Sequence, residues 1–302
     1  MYLQENTEIC VLHAISPVHA GAGSATGAVD LPIQRERHTG WPHIQASGVK
    51  GAFRDHCERV WMLRGVEQHN LVTKEDKNQA EKLAKRIFGR SDGNVSQAGA
   101  IAFSDAKLLA FPIRSNLAPF VWTTCPALLK RLARDLTLAG ITFEVPDAGL
   151  QEDSYILVKG KLQGDIILED ICLTPQQGEP NVISDIFEKL APEVERLVIV
   201  PDHHFSFLME TATEIQAQIK IDSASGTTST GSLRYQELLP ADAVLYTLSF
   251  WGEERAEDTN KLQLETLRQV VKAAAATHIQ LGGDMTLGRG IFELAWHKGG
   301  VA

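Results

Sequence analysis

Between His19 and Arg54 the chain reads HAGAGSATGAVDLPIQRERHTGWPHIQASGVKGAFR, and no hydrophobic core demands that order. Gly21, Gly23 and Gly27 are expected to let the backbone take positive φ and approach another molecule closely, since no Cβ stands in the way. Asp30 is the only acidic residue between His19 and Gln34, and Pro32 stiffens the exit from it. Arg35, Arg37, His38, His43, Lys50 and Arg54 follow with Glu36 as their only acidic neighbour, so the segment attracts anions. Ser47 reads as the N-cap of a helix running from Gly48 to about Arg64, whose free amides suit a phosphate. A glycine cradle, one held carboxylate, a basic run and a helix start therefore lie within a single turn of sequence.

That local basicity matters because the whole chain of 302 residues carries a formal charge of −9. Proteins that bind nucleic acid over their whole surface are usually basic, so only a local basic groove would suit nucleic acid here. Hydrophobic residues make up 44%, enough for a core in one large domain with insertions or two modest ones. No signal-peptide pattern and no apolar run near membrane-spanning length is present, so a cytoplasmic protein is expected, with no membrane partner. The four cysteines, Cys10, Cys57, Cys125 and Cys172, form no Cys-x-x-Cys pair and read as buried thiols.

Taken in order, TEICVLHAIS alternates like a half-buried strand and feeds the glycine loop. Its G-x-G-x-x-x-G spacing leads to Val29-Asp30-Leu31-Pro32 and not to a helix, which excludes a dinucleotide-binding turn. Helical patterns follow over Gly48 to Arg64, with Val49, Phe53, Cys57, Val60 and Trp61 on one side, and over Glu75 to Phe88; SDGNVSQAG reads as a surface loop. The next strand is AIAFSDAKLLAFP, then a helix over Pro126 to Ala139 showing Lys130, Arg131 and Arg134 on its surface. His203 and His204 are adjacent on a short helix, about 100° apart around its axis, and do not suit one metal ion. TEIQAQIKID and SLRYQELLP form a long hairpin with a polar tip. A strand AVLYTLSFWG, a helix capped near Thr259 and His278 to Leu281 lead to Gly282-Gly283-Asp284-Met285-Thr286-Leu287-Gly288-Arg289-Gly290. This run approaches a P-loop in spacing, but Arg289 and Gly290 replace its lysine and hydroxyl residue and the strand IFELAWH follows it, which argues against nucleotide hydrolysis.

The run GAVDLPIQRERHTGWPHIQASGVKGAFR resembles the N-terminal signature of the RAMP superfamily of CRISPR proteins, in particular the repeated Cas7-like backbone subunit of type III-B (Cmr) effectors. The glycine loop at 282–290 resembles the superfamily's C-terminal signature. The resemblance implies an α+β fold: one RAMP domain over 1–302 with a modified ferredoxin-like (RRM-like) palm. It also implies finger or lid insertions near 66–195, where a simple helical cap is the alternative, and a thumb hairpin at 211–240, where an ordinary edge hairpin is the alternative. It implies a metal-dependent endoribonuclease working inside the assembled complex, with guide RNA, complementary target RNA, copies of itself in a helical filament and other Cmr subunits as partners. Asp30 matches the loop aspartate on which target cleavage depends, and would also hold a divalent cation, Mg²⁺ or Mn²⁺. His19 falls near the cleavage site. Tyr235 and Glu237 are auxiliary catalytic candidates, in a stretch where the family reads tyrosine, two glutamates and tyrosine before Leu-Pro and this chain reads Tyr235-Gln236-Glu237-Leu238-Leu239-Pro240. Gly21, Gly23, Arg35, Arg37, His38, Ser47, Lys50, Arg54, Gly283 and Arg289 are the candidate RNA contacts.

Lacking the clustered carboxylates of a two-metal nuclease, such a site favours attack by a 2′-hydroxyl and a 2′,3′-cyclic phosphate product. Two alternatives share the fold: a scaffold that binds RNA without cutting, and a metal-independent RAMP endonuclease that processes guide RNA through a histidine.

Overall fold

The computed structural model describes residues 3–24, 27–67, 70–92, 95–146, 149–255 and 261–299. The first third holds β1 (Thr7–Ala14), β2 (His43–Ile44), α1 (Ala46–Arg64), α2 (Lys77–Phe88), β3 (Gly89–Asp92) and β4 (Val95–Ala98). The middle holds β5 (Ile101–Phe103), β6 (Ala106–Arg114), β7 (Phe120–Thr124), α3 (Pro126–Leu138), β8 (Ser154–Lys159), β9 (Ile166–Leu168), β10 (Ile171–Pro175) and α4 (Asn181–Leu190). The last third holds β11 (Leu197–Ile199), α5 (Asp202–Thr211), β12 (Glu214–Gln218), β13 (Arg234–Leu238), β14 (Val244–Trp251), α6 (Leu264–Ala274), β15 (His278–Gln280) and β16 (Ile291–Lys298).

One large mixed sheet runs β15-β16-β1-β14-β6-β7-β11-β8-β10-β9, with β2 on β6 and β5 on β14. Its centre is antiparallel: β1 lies between β14 and β16, and β14 also pairs with β6. β1 was expected to be half-buried, but both its faces are covered. Cys10, Leu12 and Ala14 join the core under α1, α2 and α6, while Ile9 and Val11 join a second core with α3 and α4. Helices on both sides of the sheet explain why its apolar residues do not strictly alternate with polar ones.

α1 buries Val49, Phe53, Cys57 and Trp61, one per turn, with Val60 at the margin. Phe53 stacks on Phe103 at 4.7 Å between centroids and Trp61 Nε1 donates to the Val270 carbonyl at 3.2 Å, fixing α1 to the sheet and to α6. Full burial of a side chain such as Phe53 contributes about 1.5–3 kcal/mol. The helix begins at Ala46, so Ser47 lies within its first turn and does not cap it; the Ala46 amide donates instead to Asp105 Oδ1 at 2.7 Å.

α2 starts at Lys77, after Asp76 accepts from the Gln79 amide. SDGNVSQAG, expected to be a loop, contributes the paired strands β3 and β4. Gly89 at φ +87° makes the sharp exit from α2 that this pairing needs. The region read as one strand at AIAFSDAKLLAFP is split into β5 and β6 by Ser104 and Asp105. Thr259, expected near the cap of α6, lies outside the described residues, and the helix itself begins at Leu264 after Gln263. Among the described residues no helix is long and apolar enough to cross a membrane.

Candidate nucleic-acid interface and cleavage site

The glycine loop is a small hairpin of its own. Gly21 bridges Ile33, the Ala22 amide donates to the Pro32 carbonyl at 2.9 Å and the Gln34 amide to the Ala20 carbonyl at 2.8 Å. Of the three glycines, only Gly23 takes positive φ, at +99°. Gly21 matters for a different reason: a Cβ there would lie 2.8 Å from His19 Nε2, so the imidazole would have to move aside. Gly27 has neither feature.

Asp30 is exposed near the end of this loop, and its Oδ2 accepts from the Tyr235 amide at 2.7 Å. The next residues continue the contact as a third strand on the hairpin β12–β13. The Leu31 amide donates to the Tyr235 carbonyl at 3.1 Å and the Glu237 amide to the Leu31 carbonyl at 3.0 Å. His19 Nδ1 donates to the Glu237 carbonyl at 2.9 Å, so the neutral ring keeps its lone pair on Nε2. Asp30 and His19 therefore hang from one edge of β13, at residues two apart, which is about 7 Å along a strand. The structure brings these two together although the sequence shows only a gap between them.

The hairpin has two unlike faces. Ile215, Ile219, Ile221, Leu233 and Tyr235 are exposed, and within the paired strands Ile215 and Ala217 share one side with Tyr235. The other side is polar and tied to the C-terminal glycine loop. Gln236 Nε2 donates to Asp284 Oδ2 at 2.7 Å, while Arg289 donates to Gln236 Oε1 at 2.8 Å, Asp284 Oδ2 at 2.9 Å and Gln216 Oε1 at 2.6 Å. An ionised glutamate at 236 could not donate to Asp284, so the amide of Gln236 is a working part of this network. Arg289 is nearly buried and fully engaged, which removes it from the free phosphate contacts. The Gly283 amide donates to the His19 carbonyl at 2.9 Å, and Gly282, at φ +91°, leaves no room for a Cβ, which would sit 2.6 Å from that oxygen. The two glycine-rich signatures are thus in direct contact, and exposed Gly283 lies beside the Asp30 loop.

Lys50 and Arg54 lie one turn apart on α1, half-buried. Arg54 donates to the Gly89 carbonyl at 3.1 Å. Burial, with the Arg54 charge beside it, lowers the Lys50 ammonium below its usual range, and among the described residues no carboxylate lies within ion-pair distance of it. Gln34 joins α1 to the loop: its Oε1 accepts from the Gln45 amide at 2.8 Å and its Nε2 donates to the Gly21 carbonyl at 3.1 Å. Ser47 is exposed at that helix start.

Other candidates are placed differently. Arg35 turns inward, donating to the carbonyls of Gly40 and Met209, both at 2.8 Å, and to Glu237 Oε1 at 2.5 Å. Glu237, expected as an auxiliary catalyst, is mostly buried and accepts three hydrogen bonds, and with Arg35 and Thr213 it lines the floor of a cleft against Val29 and Pro32. Arg37 and His38 are exposed, but on a turn held against α3 by the Glu36–Arg131 pair, at 2.6 and 3.0 Å. Arg131 itself, expected on the surface, is mostly buried and lies over the Trp41 ring at 5.1 Å. His203 and His204 have rings 4.1 Å apart, and His204 faces Asp153. Among the described residues no group of three or more His, Cys, Asp or Glu side chains converges as a metal cage. Gln216, Gln236, Asp284 and Thr213 belong to the site but carry no local signal, because their partners lie far away in sequence.

This chain belongs to the RAMP superfamily, whose family model matches residues 11–293. It is similar to the CRISPR system Cmr endoribonuclease Cmr4 of Pyrococcus furiosus, with 32% identity over 294 residues, covering 94% of this chain and 93% of that one. The crystal structure of oligomeric Cmr4 from the same organism superposes with a TM-score of 0.68 at 26% identity, over 97% of this chain and 98% of the other. A chain in the type III-B Cmr-beta complex bound to cognate target RNA shares the fold, with a TM-score of 0.69 at 22% identity over 96% of each chain.

Proposed function

We propose that this chain is the repeated backbone subunit of a type III-B CRISPR effector, assembled in copies along guide RNA with other Cmr subunits, and that it cuts complementary target RNA at regular intervals. The observation that carries the reading is Asp30: an exposed carboxylate at a glycine loop, held by a backbone amide at the base of a hairpin with an exposed apolar face. That apolar face suits a thumb that stacks against splayed bases, and supports assigning 211–240 to it and 66–195 to finger or lid insertions. The antiparallel order β16-β1-β14-β6, with α1 after β1 and α6 before β16, supports a ferredoxin-like palm. Lys50 and Arg54, one turn apart on α1 with exposed Ser47 at the helix start, are the phosphate contacts, since an anion there would offset both the burial of Lys50 and the Arg54 charge beside it; exposed Gly283 is a further contact beside His19.

In this reading Asp30 accepts the proton of a target 2′-hydroxyl. The 2′-oxygen then bonds to phosphorus, the P–O5′ bond breaks, and the leaving 5′-oxygen is protonated by water, with His19 on the same hairpin edge. The products are a 2′,3′-cyclic phosphate and a 5′-hydroxyl. As the alternative to that base role, the carboxylate's Oδ1, free of partners among the described residues, would hold Mg²⁺ or Mn²⁺ together with water and phosphate oxygens. When bound there, such an ion would neutralise charge on the phosphate.

The test is Asp30→Asn in the reconstituted complex, a change that keeps the acceptor for the Tyr235 amide. Assembly and target binding remain, and cleavage falls by about 10² or more. Unchanged cleavage would return the subunit to a scaffold. Cutting of a guide-precursor hairpin by the lone protein in EDTA would favour the processing enzyme.

A further inference from the structure

Glu237 is where the segments of this site meet. Its Oε1 accepts from Arg35 at 2.5 Å and from Thr213 Oγ1 at 2.8 Å, and its Oε2 accepts from the Ile33 amide at 3.0 Å. Its own amide holds the Leu31 carbonyl at 3.0 Å and its carbonyl holds His19 at 2.9 Å. The glycine-loop entry, the Asp30 strand, the end of α5 and the hairpin all converge on this one residue.

The pair it forms with Arg35 is largely buried, with side chains 8% and 24% exposed, at the floor of a cleft that Val29 and Pro32 also line. Three donors occupy the carboxylate, and Arg35 spends its remaining reach on the Gly40 and Met209 carbonyls. A carboxylate holding three donors, one of them a guanidinium, is a poor base, and a guanidinium so committed has little left for a phosphate. Removing either partner would leave the other buried and unpaired. What the pair can do is brace. Asp30 is gripped at its side chain by the Tyr235 amide, and three residues on Ile33 is gripped by the Glu237 carboxylate, with Pro32 stiffening the span between. Since the same strand carries the apolar face of the hairpin, whatever seats the hairpin in RNA also sets the position of Asp30.

The geometry points to Arg35 and Glu237 as positioning residues for target cleavage: a buried ion pair that locks the Asp30 strand to the hairpin, without exchanging protons with the substrate or touching its phosphates. This rests on the assignment of cleavage to Asp30.

The experiment uses complexes reconstituted with Arg35→Met, Glu237→Gln, both together, Thr213→Val and Asp30→Asn. Single-turnover cleavage, its pH profile and target-RNA binding are measured on each. Each single change at the pair slows cleavage by about tenfold to a hundredfold, the scale expected when a reacting group is displaced by about 1 Å. Target affinity is retained, the pH profile keeps its shape, and the double variant is no slower than the slower single one. Thr213→Val, which removes one hydrogen bond and leaves the charges, acts in the same direction more weakly; it decides the matter should Glu237→Gln fail to fold.

Three results overturn the proposal. One is wild-type cleavage in the pair variants. The second is an ionisation missing from the Glu237→Gln profile, which makes that group an acid or base. The third is weakened, less salt-sensitive target binding in Arg35→Met with normal cleavage of bound target, which makes Arg35 a phosphate contact. Slow Asp30→Asn beside fast pair variants sinks the pair alone. Fast Asp30→Asn sinks the cleavage assignment, and with it anything there would be to position.

Discussion

Three glycines of the C-terminal loop make a graded test of how tightly it is built. Gly283 has an ordinary backbone, and a Cβ there would sit at normal van der Waals distance, 3.7 Å, from His19. Gly288 has φ +72° but open space around it, and Gly290 has φ +74° with a Cβ that would fall 2.0 Å from the Leu281 carbonyl oxygen. Gly283→Ala is therefore expected to change stability by no more than about 0.5 kcal/mol. Gly288→Ala costs the left-handed backbone penalty alone, about 1–2 kcal/mol. At Gly290 the penalty is joined by an overpacking cost of about 1–3 kcal/mol, and the bond from the Leu281 amide to the Gly290 carbonyl at 2.8 Å is strained as β15 and β16 are forced apart. Gly290→Ala is thus expected to lose about 2–5 kcal/mol. Urea unfolding of the three variants, followed by two probes to check that the transition is two-state, gives the ranking directly. Gly290→Ala no less stable than Gly288→Ala would refute the close approach, and a large loss at Gly283 would refute the open packing. A neutral Gly283→Ala also lets its contribution to RNA binding be measured without a folding artefact.

Glu36 supplies a pH dependence. Burial alone would raise its pKa, but hydrogen bonds from Thr39 and Arg131 and the charges of Arg131 and His38 outweigh it and hold the carboxyl below its ordinary value. A depressed folded-state pKa stabilises the fold above the unfolded value and loses that contribution as pH falls through the folded one. Urea midpoints of Glu36→Gln should accordingly fall less steeply on the acid side than those of the parent, and parallel curves would contradict this. The cysteines predict a labelling pattern: Cys10, Cys57 and Cys125 are buried, and burial pushes their thiols up, whereas Cys172 is exposed. A thiol reagent should modify Cys172 rapidly in the native protein and the other three only on unfolding; rapid reaction of a second thiol would disprove the packing.

What could be read in advance was whatever depends on neighbours in the chain. The apolar spacing of Val49, Phe53, Cys57 and Trp61 identifies α1, and a lone aspartate among glycines ahead of a proline marks Asp30. Contacts between distant segments left no such trace. Arg35 looks like a free cation beside other cations, and only a partner 202 residues away makes it half of a buried pair. Ser47 has the chemistry of a cap, but the helix already begins at Ala46, whose amide is held by Asp105, 59 residues away. The flanks of β1 mislead for the same reason: alternation signals one covered face, whereas helices from elsewhere in the chain cover both. Residue type suggested which groups are chemically able, and tertiary packing decided which of them remain available.

The placement of β1 between β14 and β16 bears on how this protein is made. A ribosome delivers β1 first and its two neighbours among the last segments, so for most of synthesis a strongly apolar strand has neither of its edges covered. Sheet closure then waits on pairings of very long sequence separation, which are slow and leave the nascent chain open to aggregation. Because His19 and Gly283 also meet only when the glycine loop at 282–290 has arrived, the surface proposed to hold RNA is incomplete until then, and a subunit stalled before β15 would lack it.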